Sequence, residues 1–132
     1  RYHGEIPHSL VDGATAALEK GGVHFERLGV PGALEIAPAM ALAARRYDGF
    51  VGLGCILGGA GFYLEMIATQ STHGLMQLGI GQGLCIGNGI IATEREDDAL
   101  RLADPALGDA GGDAARACLA LMRWRERLDT AP

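Results

Sequence analysis

GFVGLGCILGGAGFYLEM, residues 49–66, decides how the chain is read. Its first half, Gly49 to Leu57, is a continuous apolar run bounded by Asp48 and by glycines. That is the pattern of a strand buried on both faces of a parallel sheet. The second half begins a helical pattern that continues from Phe62 to Ile80. Between them lies a glycine turn, with five of the ten positions from Gly52 to Gly61 being glycine. A strand, a glycine turn and a helix N-terminus form a common anion-binding device, because free N–H groups converge there. Here the stretch has no basic residue, serine or threonine, and no Lys or Arg occurs from Tyr47 to Glu94. An anion held at this turn would depend on backbone amides.

Two nucleotide motifs fail on these residues. The Gly52-Leu53-Gly54 pair would need a third glycine where Leu57 stands, and an acidic residue near the end of the next strand. A phosphate-binding P-loop would need Lys and then Ser or Thr after its second glycine, and neither is present.

Outward from this stretch, helices and strands alternate. Ser9 to Lys20 reads as a helix with Ser9 as N-cap, Asp12 three positions on, and Gly21-Gly22 as its stop. Val23 to Val30 alternates apolar and polar residues like a short strand. After the Pro31-Gly32 turn, Ala33 to Arg46 is helical in composition, with Pro38 confined to a first turn. Leu84 to Thr93 reads as a second buried strand in which Gly87 and Gly89 mark a bend or a close approach. Glu94 to Ala103 is an acidic-started helix, and a final helix runs from about Gly111 to Leu128. Such alternation predicts one three-layer α/β/α domain with a parallel sheet, whose ligands bind outside the carboxyl ends of the strands. The glycine turn and Pro31–Glu35 both fall at that edge.

Composition narrows the function classes. The chain has 132 residues, is 48% hydrophobic and carries a net charge of −5, which argues against nucleic-acid and anionic-membrane partners. No apolar stretch approaches the ~18 uncharged residues of a spanning helix, and no signal-peptide pattern opens the chain, so a cytoplasmic location is expected. Cys55, Cys85 and Cys118 are odd in number and widely spaced, which reads as buried reduced thiols rather than a metal or redox site. His73 lies mid-helix without a second ligand at i+4, and His3 and His8 read as loop histidines. Glu65 suits a helix start. Glu35 sits among apolar residues, where a carboxylate has a buried partner or a ligand hydroxyl. Nothing calls for a metal or a cofactor.

Four segments then match one family in order and spacing. RYHGEI at the start, VPGALEIAPA from Val30 to Ala39, YDGFVGLGCIL from Tyr47 to Leu57 and GNGIIATE from Gly87 to Glu94 resemble lumazine synthase across essentially the whole chain. The resemblance implies a parallel four-stranded sheet flanked by helices, assembly as pentamers or shells of pentamers, and active sites between subunits. It implies a transferase of riboflavin biosynthesis that condenses 5-amino-6-ribitylaminouracil with 3,4-dihydroxy-2-butanone 4-phosphate. It also implies a central strand just before the segment matching Arg1-Tyr2, so residues preceding Arg1 are expected.

Carried over position by position, the family site divides in two. Tyr2, with His3 beside it, takes the place of the aromatic that stacks on the heterocycle. Ala33 and Glu35 match the groups that hold the ring edge and ribityl hydroxyls, and Leu34 replaces a phenylalanine. Cys55, Ile56 and Leu57 stand against the pyrimidine, and Asn88 stands where a neighbouring subunit supplies an aromatic. In the phosphate half, Gly58, Gly59, Ala60 and Gly61 replace a loop whose arginine aligns with Gly58 and whose threonine aligns with Gly61. Tyr63 stands in the place of the catalytic histidine. Farther on, the phosphate-clamping arginine aligns with Leu102 and a lysine aligns with Ala110. A phenol titrates near about 10, so at neutral pH it donates a hydrogen bond rather than serving as a base. The reading that results is a divergent member binding a ribityl-pyrimidine, lumazine or flavin-like ligand, with a non-phosphorylated carbonyl partner. The alternatives are a non-catalytic, shell-forming assembly protein and a weak lumazine synthase.

Overall fold

The computed structural model describes residues 5–58 and 61–130. Helix α1 spans Glu5–Lys20; a 3-10 turn at Ala33–Glu35 leads into α2, Ile36–Leu42. Strand β1, Phe50–Leu57, is followed by α3, Gly61–Gln82, then strand β2, Ile86–Thr93. Helices α4, Glu96–Ala103, and α5, Ala110–Thr130, complete the chain.

The two strands pair in parallel, from Phe50 opposite Ile86 to Leu57 opposite Thr93. The Phe50 N–H donates to the Cys85 carbonyl at 2.8 Å and the Gly58 N–H to the Thr93 carbonyl at 2.8 Å. In a parallel ladder the alternate residues point their backbone groups to opposite sides. The even-numbered residues of β1 therefore face β2, and Val51, Leu53, Cys55 and Leu57 present their N–H and C=O groups to the other edge. Among the described residues no strand pairs with that edge.

Side chains alternate with the same period. Leu53, Cys55 and Leu57 pack with Ile6 and Leu10 of α1 and Ala99 and Ala103 of α4. Gly52 and Gly54 turn to the opposite face, against Ile36 and Met40 of α2 and Leu75 of α3. The sheet thus lies between α1, α4 and α5 on one side and α2 and α3 on the other. Because Ile6 packs with Leu57's end of β1 and Ala14 and Ala17 pack near Val51, α1 starts at the carboxyl edge of the sheet. Ile36 beside Gly54 and Met40 beside Gly52 set the start of α2 at the same edge.

Four expectations are corrected. The sheet has two strands rather than four among the described residues. Val23–Val30 forms no strand, because its alternating residues find no neighbouring strand to pair with. They stay largely exposed, and the Tyr47 hydroxyl donates to the Glu26 carboxylate to hold the segment. Helix α1 begins at Glu5, not Ser9: Pro7 falls in its first turn, where a missing N–H costs nothing, and His8 is helical and pairs with Asp12 at 3.4 Å. The Ala33–Arg46 helix is the short turn plus α2, ending at Leu42, with Pro38 in the first turn of α2 as expected.

Gly87 marks a close approach. A Cβ there would run into the Ala114 carbonyl of α5, and one at Gly111 would run into the Leu10 carbonyl of α1. Small residues thus let α5 lie flat on β2 and α1. Asp109, in the left-handed region at φ 48, receives the Gly112 N–H on Oδ1 at 3.2 Å and the Arg116 guanidinium on Oδ2 at 2.9 Å. Such a carboxylate caps the helix that follows it. No described helix is long and apolar enough to cross a membrane.

Replacing Gly87 by Ala is expected to cost about 1–3 kcal/mol, the range for overpacking a filled core, read as a lower urea midpoint. Gly81→Ala, with nothing within 4 Å of its Cβ, is expected to leave the midpoint unchanged or raise it. Burial pushes the Cys118 thiol up to about 11 from its ordinary 9.0. The unfolded thiol then ionises first, so this contribution is complete below pH 9.0 and is lost as pH climbs toward about 11. Urea midpoints at about pH 8 and about pH 10.5 should fall less in Cys118→Ala than in the wild-type chain.

Candidate functional site

The carboxyl edge of the sheet gathers four chain segments. β1 ends at Leu57 and turns through Gly58, whose φ of 59° lies in the left-handed region that glycine adopts without strain. Gly61 opens α3, and Phe62 and Tyr63 stand in its first turn, 77% and 60% exposed. The Ala33–Glu35 turn reaches the same edge and contacts both β1 and α3. From β2 the chain passes through Glu94 and Arg95 into α4, with the Thr93 hydroxyl donating to the Arg95 carbonyl at 2.9 Å.

The residues expected against the pyrimidine divide between the two faces of the strand. Cys55 and Leu57 point to the α1 side, where Ile6, Leu10, Val11 and Leu53 join them around an apolar cavity of about 370 Å³. Ile56, of opposite parity, shares the α2 side with Ala33, Leu34 and Glu35. Burial raises the Cys55 thiol above its usual range, and the Glu96 carboxylate adds to the effect.

Glu35 is exposed rather than buried among apolar neighbours. Its position in a one-turn 3-10 segment at the rim puts its carboxylate in solvent. The carboxylate folds back over Gly32, where a Cβ would lie 3.1 Å from Oε1. Leu34 is 45% exposed and lines a second groove of about 390 Å³ between α2 and α3, together with Pro38, Gln70, Ser71, His73 and Gln77. Ser71 is buried there, and its hydroxyl has no hydrogen-bond partner. Asn88 is exposed on β2, and its Oδ1 accepts the Ile90 N–H at 2.9 Å. By the ladder's parity, that N–H points to the strand's outer edge, so Asn88 covers an edge donor.

Tyr2, His3, Gly59 and Ala60 lie outside the described residues. Of the cavity lining from α1, Leu10 and Val11 fall within the helix expected from Ser9, while Ile6 and Pro7 precede it. The influence of Glu96 on Cys55 links two separate elements and leaves no mark in local sequence.

Charge at this edge is one-sided. Glu35, Glu65 and Glu94 are exposed around it. Arg95 lies 3.7 Å from Asp97, and Arg101 lies 2.7 Å from Asp98 on α4. Leu102 is partly exposed beside Arg101, and Ala110 packs against the core. Among the described residues no group of His, Cys, Asp and Glu is arranged to hold a metal ion. The Cys55, Cys85 and Cys118 thiols are free.

The family described as 6,7-dimethyl-8-ribityllumazine synthase matches residues 1–126. A protein of Erythrobacter litoralis carrying that name is 44% identical over 130 residues, covering 97% of this chain and 92% of the relative. One from Novosphingobium aromaticivorans with the same name is 45% identical over 129 residues, covering 96% and 92%. A protein of Mesorhizobium japonicum named 6,7-dimethyl-8-ribityllumazine synthase 1 is 38% identical over 135 residues, covering 97% and 82%. The match runs through the VPGALEI turn, β1, β2 and α5 alike, and the chain belongs to the lumazine synthase family.

Proposed function

We propose that the chain binds a ribityl-pyrimidine, lumazine or flavin-like ligand at the carboxyl edge of its sheet and condenses the aminouracil with a carbonyl partner that carries no phosphate. The observation that carries this reading is the absence of any Lys or Arg from Tyr47 to Glu94. That stretch includes the whole β1–α3 turn, which the family uses for phosphate. Each lost charge-assisted contact weakens a phosphorylated ligand by about 1.5–3 kcal/mol.

The heterocycle half keeps its chemistry. Glu35 is free at the rim to accept ribityl hydroxyls, Tyr2 offers an aromatic shelf, and Cys55, Ile56 and Leu57 supply apolar contact to a planar ring. Tyr63 donates a hydrogen bond to the carbonyl or imine oxygen or nitrogen.

The open edge of β1 supports a four-stranded sheet. A further apolar strand seated there would satisfy the outward backbone groups of Val51, Leu53, Cys55 and Leu57. Helix α3 supports homo-oligomeric assembly, which we assign as a pentamer. It spans 22 residues with Glu65 as its one carboxylate or basic side chain of Asp, Glu, Lys or Arg type, and it exposes Met66, Met76 and Ile80. Exposed large apolar side chains on a helix with a single charged residue suit an interface between subunits. We place this assembly in the cytoplasm.

Titration of the aminouracil, the lumazine and riboflavin against the purified chain tests the reading. At least one is expected to bind, and Glu35→Gln is expected to weaken binding by roughly tenfold to a hundredfold, the loss of one charge-assisted hydrogen bond. Light scattering should give five times 13.7 kDa or a multiple of it. An intact assembly that binds none of the three ligands would leave a purely structural, shell-forming role. Lumazine formation from the phosphorylated ketone above the protein-free rate would restore the phosphate-dependent reaction.

A further inference from the structure

We propose that Cys85, Cys118 and Met122 form a binding site for a soft monovalent cation of the copper(I) class, at the amino edge of the sheet and opposite the ligand edge.

Two elements bring the sulfurs together over a third. Cys118 and Met122 stand one turn apart on α5, and their Sγ and Sδ atoms lie 3.9 Å from one another. Residues four apart share a helix face, and this face is turned to the sheet. A Cβ at Gly49, just before β1, would lie 2.7 Å from the Cys118 Sγ and 2.6 Å from the Met122 Sδ. Both sulfurs therefore converge on the space that a side chain at Gly49 would fill. Cys85, the residue before β2, supplies the third. It has the parity of Gly87, whose missing side chain faces Ala114 of α5, and its carbonyl oxygen lies 3.5 Å from the Cys118 Sγ. Cys85 and Cys118 are buried between the sheet and α5, while Met122 is half-buried and gives the cluster a side near solvent. Burial first, and with it the charge of Cys85, raise the Cys118 thiol, so the two thiols lie in one another's field.

Distance and donor type select the ion. Two metal–sulfur bonds of about 2.3 Å meeting at about 115–120° set their sulfurs about 3.9–4.0 Å apart, and Cys118 and Met122 have that separation. Thiolate and thioether are the donors that suit copper(I). Among the described residues no third His, Cys, Asp or Glu joins the two thiols, as a tetrahedral zinc site would require. The set leaves little mark in the sequence, because the cysteines lie 33 positions apart and the third donor is a methionine.

The charges balance at this edge. Binding forms two thiolate–copper bonds, releases one proton from each thiol to solvent and adds the Met122 thioether with no proton lost. Copper stays in its +1 state, so the loaded site carries one net negative charge. Arg125, on the next turn of α5, donates to the Asp48 carbonyl at 3.2 Å and to the Gly83 carbonyl. These carbonyls belong to the neighbour of Gly49 and to a residue two positions before Cys85. Both are uncharged groups, so the guanidinium is left to offset the site.

The test uses the full chain, reduced and free of oxygen, with copper(I) supplied as its acetonitrile complex and bicinchoninate as the competing chelator. One copper per chain is expected, and X-ray absorption at the copper edge should show three sulfurs at about 2.3 Å. Cys85→Ala and Cys118→Ala should each weaken binding by roughly a hundredfold or more. Met122→Leu, which conserves volume, should weaken it by roughly tenfold and lower the sulfur count to two. Cys55→Ala should bind copper as the wild-type chain does. Nitrogen or oxygen donors in the wild-type spectrum, or fewer than three sulfurs, overturn the inference. So does a Met122→Leu chain with unchanged affinity and sulfur count, or a Cys55→Ala chain that no longer binds. A wild-type chain that leaves all the copper with bicinchoninate overturns it outright. Should either alanine variant fail to fold, the wild-type spectrum and Met122→Leu decide.

Discussion

The site depends on one hydrogen bond, from the Gly58 N–H to the Thr93 carbonyl at 2.8 Å. It is the last rung of the parallel ladder, and it makes β1 and β2 end level with one another. Because they end together, the turn into α3 and the turn into α4 stand side by side at the same edge. Gly58 then departs at φ 59°, a conformation a side chain resists. An arginine at this position would need to adopt that left-handed geometry or shift the turn. Glycine is the residue that lets this turn take its present path.

Electrostatics and packing at that edge point in one direction. The α/β architecture would ordinarily make the turn attractive to anions, since helix α3 begins there and the first N–H groups of a helix have no partner within it. Exposed carboxylates surround the turn, and Arg95 and Arg101 lie 3.7 Å and 2.7 Å from Asp97 and Asp98. These ion pairs are exposed and contribute little to stability.

Much of the fold was legible in the chain. The apolar runs at 50–57 and 86–93 are strands because both of their faces are covered by helices. Gly87 was read as a bend or close approach, and it is a contact with the Ala114 carbonyl. Val23–Val30 was not legible, because alternation specifies a strand only when a partner strand is present, and pairing is a tertiary property. The start of α1 is hidden for a local reason: Pro7 is a first-turn residue, and Ser9 behind it has the pattern of a cap. At the site, the 3-10 turn placed Ala33, Leu34 and Glu35 at the edge as expected. The exposure of Glu35 and the opposite facing of Ile56 relative to Cys55 and Leu57 follow from turn length and strand pleat, which motif matching does not weigh.

The pleat bears directly on how a planar ligand could be held. Side chains of opposite parity cannot all contact one face of a ring lying along the strand. A ligand that meets Cys55, Ile56 and Leu57 together must sit across the end of β1, where the pleat stops and the backbone of Gly58 turns away. That location leaves the apolar cavity behind Cys55 on one flank and the Ala33–Glu35 turn on the other. On the proposed reading it also brings the ring's amine edge toward the first turn of α3, where Tyr63 is an exposed hydroxyl. On the same reading, proton removal from the amine is left to solvent, while the protein's contribution is orientation and a donor at the electrophile. For amine condensation this division is sufficient, because an uncharged amine is already nucleophilic and the carbonyl is the partner that gains from polarisation.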